Sequence, residues 1–117
     1  MSGKNWFKWS DHKTAAAGSN DVTFGPVEAG RAYHLLLATA EDETSAPTDV
    51  RAIIDAGGVE YVVGETNTPG SATLVKFDDD FHLSEGDKLI LRVSGATAND
   101  RLSAYLFGYW YEVPQGP

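Results

Sequence analysis

Apolar and polar residues alternate along most of this chain with period two, the mark of strands with one face in a core. In Asp49–Ala56 (DVRAIIDA), Val50, Ala52 and Ile54 share a face. Gly57-Gly58 is a tight hairpin signal, and Val59–Val63 (VEYVV) returns with Val59, Tyr61 and Val63 expected inward and Glu60 outward. Lys88–Val93 (KLILRV) alternates Leu89, Leu91 and Val93 with Lys88, Ile90 and Arg92. Gly30–Ala40 (GRAYHLLLATA) is apolar on both faces, with Tyr33, Leu35 and Leu37 against His34, Leu36 and Ala38, so a strand covered on both sides is expected there. Asp21–Val27, Ala72–Phe77, the Phe81 and Leu83 pair and the long Arg101–Val113 (RLSAYLFGYWYEV) complete the set. Turn signals recur every ~8–12 residues, which predicts an all-β antiparallel β-sandwich of about eight strands. Helix evidence is confined to Lys13–Ala17 (KTAAA), stopped by Gly18 and too short for more than a loop or one turn.

Composition narrows the partners. The chain has 117 residues, 42% of them hydrophobic, enough for one domain with a real core. Its formal net charge of −8 argues against nucleic acid and against anionic membrane surfaces. There is no cysteine, which removes disulfides, thiolate metal sites and cysteine nucleophiles. No window approaches the ~18 apolar residues of a membrane-spanning helix. The start MSGKNWFKWSDHKT lacks the apolar core of a secretory signal, so use without signal-peptide export is expected.

That same start carries Trp6, Phe7 and Trp9. Val22–Val113 already holds strands enough for a sandwich, and Ala15–Asn20 (AAAGSN) can act as a tether. Residues 1–20 are therefore expected as an extended aromatic arm lying on a surface, its own or a neighbour's. Residues 21–113 form the sandwich, and 114–117 a tail.

Candidate chemistry is sparse. His12, His34 and His82 have no G-x-S-x-G partner. His34 reads as a partly buried, hydrogen-bonded residue of a strand, and His82 as an outward polar residue between Phe81 and Leu83. Asp78-Asp79-Asp80 invites calcium, but neighbouring aspartates on an extended chain point in opposite directions and the run lacks EF-hand spacing. No phosphate-cradling loop is present. Small sandwiches rarely hold a deep catalytic cleft, so no catalytic residue, metal ligand or cofactor is assigned.

The final strand is richer. Period two sets Tyr105, Phe107, Tyr109 and Tyr111 on one face and Leu106, Gly108 and Trp110 on the other. One face is core; the other needs cover from within the chain or from another molecule. Tyr and Trp favour interface hot spots and stack on sugars. The candidate interface residues are Trp6, Phe7, Trp9, Tyr105, Tyr109, Trp110 and Tyr111.

Phe81–Gly95 (FHLSEGDKLILRVSG) joins a leucine, an acidic Gly-Asp turn and an alternating strand, and resembles late jelly-roll strands. The following GATANDRLSAYLFGYWYEV resembles the closing strand of small tailed-phage virion proteins, in which an L-x-A-x-L-x-G-Y strand ends the sandwich. The resemblance runs from Val22 to Val113 and is concentrated in Leu83–Tyr111. It implies a jelly-roll-like fold and a non-enzymatic capsid decoration or cement protein, resident in virions assembled in the host cytoplasm. Its implied partners are the major capsid protein or another virion protein, and further copies of itself, a trimer among the candidates. The alternative is a phage fibre or carbohydrate-binding module that uses exposed aromatics.

Overall fold

The computed structural model describes residues 3–114. Met1, Ser2 and, from the expected tail, residues 115–117 lie outside that range. Among the described residues there are nine strands: β1 (Asn5–Thr14), β2 (Gly18–Phe24), β3 (Arg31–Asp42), β4 (Asp49–Ala56), β5 (Val59–Asn67), β6 (Val75–Phe77), β7 (Phe81–Leu83), β8 (Lys88–Ala96) and β9 (Arg101–Glu112). One sheet has the order β1-β9-β3-β6, with β7 also paired to β3; the other has the order β2-β8-β4-β5. Every pairing is antiparallel. The chain crosses repeatedly from one sheet to the other, and the first strand is drawn in beside the last. This is a jelly-roll β-sandwich whose sixth strand is split into β6 and β7.

The alternation seen in the sequence sorts most side chains. Leu89, Leu91 and Val93 of β8, and Leu102, Ala104 and Leu106 of β9, are buried between the sheets with Val50 and Ala52 of β4. The turn before β8 sets that register. Gly86 takes φ +84°, Ser84 N–H donates to Asp87 Oδ2 at 2.9 Å, and Gly86 N–H donates to the Val27 carbonyl at 2.9 Å. The β4–β5 hairpin turns on Gly57 and Gly58, both at positive φ, with Gly58 N–H donating to Asp55 Oδ1 at 3.0 Å.

Four expectations give way. The stretch expected as an arm is β1, paired residue for residue with Arg101–Trp110 of β9. Without it, the outer edge of β9 would carry a row of unpaired backbone groups. Lys13 and Thr14 are the end of that strand rather than a turn, and Ala15 enters the core. In β3, a bulge between Leu35 and Leu37 reverses the alternation, so Tyr33 and Leu35 and then Ala38 and Ala40 face inward. Finally, Val59, Tyr61 and Val63 are exposed, with Val62. They lie on the edge strand of their sheet, and the opposite sheet offers only the two three-residue strands β6 and β7 at that edge.

Candidate functional site

Strand β9 is the spine of the site. Its inward residues from Leu102 to Gly108 are small or aliphatic and Trp110 follows on the same side, which leaves Tyr105, Phe107, Tyr109 and Tyr111 on the solvent side. Gly108 sits opposite the β3 bulge, where a Cβ would run into the His34 carbonyl oxygen. The glycine lets β9 and β3 stay paired through the irregularity, and that pairing sets Tyr109 across from His34.

One row of pairing partners then crosses four strands: Trp6 of β1, Tyr109 of β9, His34 of β3 and His82 of β7. Strands lie ~4.8 Å apart, close to the spacing at which rings stack, so residues in register form a ladder. Trp6 meets Tyr109 edge to face at 5.2 Å. Tyr109 and His34 stack at 5.0 Å with planes 9° apart, and His34 and His82 stack at 4.5 Å. Phe107 stacks on Trp6 at 5.7 Å, and Tyr111 lies 5.9 Å from His34. The Lys4 ammonium stands 4.5 Å above the Tyr109 ring. His34 Nδ1 is 3.0 Å from Asp80 Oδ1, which anchors the middle of the row to the β6–β7 turn. Trp6 is 57% exposed and Phe107 38%.

At the His82 end the row meets a shallow cleft of about 480 Å³, whose walls include Tyr111, His82, Arg31, Ser84 and Glu85. Rings beside a carboxylate, a guanidinium and a hydroxyl suit a ligand with an apolar face and hydroxyl edges. Asp80, the last of the three aspartates, is occupied with His34. Among the described residues no three acidic or histidine side chains are grouped to hold a metal ion.

The seven candidate interface residues divide between two surfaces. Trp6, Tyr109 and Tyr111 belong to the outward row. Tyr105 shares their face but pairs with Ser10 and Thr39 further along β9. Phe7, Trp9 and Trp110, partly buried, turn inward and pack against the core. They close one end of the sandwich: Phe7 contacts Phe24 and Tyr33 at 5.7 and 5.1 Å, and Trp9 meets Phe24 at 5.4 Å. Trp110 lies 6.4 Å from Tyr33 and is capped by the Arg31 guanidinium at 3.7 Å. A strand sends successive side chains to opposite faces, so NWFKW splits into one outward indole and two inward rings.

Phe107, His34, His82 and Lys4 complete the row, although none is among the candidate interface residues. Phe107 has the parity of the tyrosines, a signal available in the sequence. The histidines join only through cross-strand register, which no local pattern encodes.

No family model matches the chain, and no curated protein matches it by sequence. Among solved structures it is similar to the nucleoplasmin-like N-terminal domain of Drosophila FKBP39, at 18% identity and TM-score 0.49, over 96% of this chain and 95% of that one. It is also similar to part of an exo-β-1,3-galactanase from Phanerochaete chrysosporium, at 15% identity and TM-score 0.41, over 92% of this chain and 29% of that one.

Proposed function

We propose that this chain is a non-enzymatic structural subunit of the phage capsid decoration type, which seats the outer face of its β1-β9-β3 sheet on a virion shell. The observation that carries the reading is the aromatic row itself. Trp6, Phe107, Tyr109 and His34 form a continuous surface on one sheet, held in place by backbone pairing. Large rings with few rotamers lose little entropy on docking, and they supply the anchors of protein interfaces. The chain's acidity favours a neutral or basic partner surface, and Lys4 is the cation of the row. The test is sedimentation of the purified chain with assembled shells of the phage that encodes it. Wild type should travel with the shells, and the Trp6→Ala, Tyr109→Ala double variant should bind about tenfold or more weakly. A wild type that stays in the supernatant overturns the reading.

A second reading, glycan binding, draws on the cleft between Tyr111 and His82. Its ring walls and its Glu85, Ser84 and Arg31 groups match the apolar face and hydroxyls of a pyranose. A glycan array should then show hits that Tyr111→Ala removes; an array without hits excludes this reading.

A further inference from the structure

The sheet opposite the aromatic row ends on β5, and its edge is unusually apolar. Val59, Tyr61, Val62 and Val63 are exposed by 53, 55, 54 and 37%. Edge strands are ordinarily blunted by lysine, proline or a covering segment. β5 contains neither lysine nor proline, and a single bulge opposite Ala52 and Ile53 interrupts it.

Its two charged residues, Glu60 and Glu65, are both held from within the sheet. Arg92 of β8 reaches across β4 to Glu60 with bonds of 2.9 and 3.0 Å, while it donates to Asp21 of β2 at 2.8 and 3.1 Å. Arg51 of β4 donates to Glu65 at 2.6 Å. Two of the four arginines are thus spent on this face. The chain carries a net charge of −8, yet both acids of this edge stand paired with a cation.

We propose that β5 is where two copies of this chain associate, edge to edge and antiparallel, so that their β2-β8-β4-β5 sheets become continuous. This rests on the reading of the chain as a self-assembling subunit, and it uses the sheet the aromatic row does not. The occupant is a second copy for three reasons. Local charge compensation lets two strongly acidic molecules approach here. An antiparallel pair about a two-fold axis places the same Val and Tyr side chains against one another, which makes the edge self-complementary. The length also fits: nine residues span ~30 Å, enough for a continuous antiparallel ladder between two β5 strands.

Light scattering on the full chain tests this. Wild type should move from 12.6 kDa toward twice that mass as its concentration rises to ~1 mM. Val62→Lys and, separately, Tyr61→Lys should weaken the dimer about 30-fold or more, since each buries an unpaired ammonium. Circular dichroism should show both variants folded, because these side chains are exposed. Tyr109→Ala should leave the dimer intact. A wild type of 12.6 kDa throughout, a closed trimer, or a dimer that survives both lysines overturns the proposal. A wild type that dimerises but does not travel with the shells counts against the docking reading alone.

Discussion

Tyr109 and His34 stack ring on ring, 5.0 Å apart with planes 9° from parallel, from directly paired positions on β9 and β3. Neither ring could hold that position if the two strands slipped by one residue, since a slip sends each side chain to the other face. The contact therefore reports the register of the whole sheet, and several consequences follow from that register.

Trp6 and Phe7 are neighbours with opposite duties. Trp6→Ala removes an exposed ring from the outward row and should cost under ~1 kcal/mol. Phe7→Ala opens the ring cluster around Phe24 and Tyr33 and should cost about 2 kcal/mol or more. Urea unfolding followed by circular dichroism separates the two. Equal losses would mean that β1 does not divide its side chains between core and solvent.

Gly108 is tied to the β3 bulge. Gly108→Ala drives a methyl into the His34 carbonyl and should destabilise the protein by about 1–3 kcal/mol. It should also disturb the Tyr109–His34 stack, read as a change in near-ultraviolet circular dichroism. Gly58→Ala is the contrast, because its added Cβ meets open space and only its φ of +87° resists the change. A Gly108→Ala protein with wild-type stability and spectrum would show that β3 and β9 can part there freely.

Acid should loosen the outer face of the β5 sheet. Hydrogen bonding from Arg92, the largest cause, holds the Glu60 carboxyl below its ordinary range; partial burial and Asp21 oppose the shift. The folded state thus binds this proton less readily than the unfolded chain. The resulting stabilisation is complete above the ordinary glutamate range and is lost as pH falls through the lowered folded pKa. Thermal melts from neutral pH down to about pH 3 should show this loss, and Glu60→Gln should flatten that part of the profile. An unchanged profile in Glu60→Gln would remove the pair from the account of acid stability.

Much of this protein is legible in its residue order. The Gly57-Gly58 hairpin, the Gly86-Asp87 turn and the inward Leu89, Leu91 and Val93 follow from local rules, because turn geometry and a period of two act within a few residues. The outward parity of Tyr105, Phe107, Tyr109 and Tyr111 is equally local. Three things were decided only when strands met. NWFKWS became β1 because β9, far along the chain, needed a partner for its open edge. Val59, Tyr61 and Val63 look like core in VEYVV, yet they stay in water because their strand lies at the edge of its sheet, where the opposite sheet gives little cover. His34 and His82 joined Trp6 and Tyr109 through a register that depends on a bulge and on Gly108. Alternation determines which side chains share a face. Pairing between distant strands decides what that face lies against, since burial and stacking depend on neighbours the local sequence does not contain.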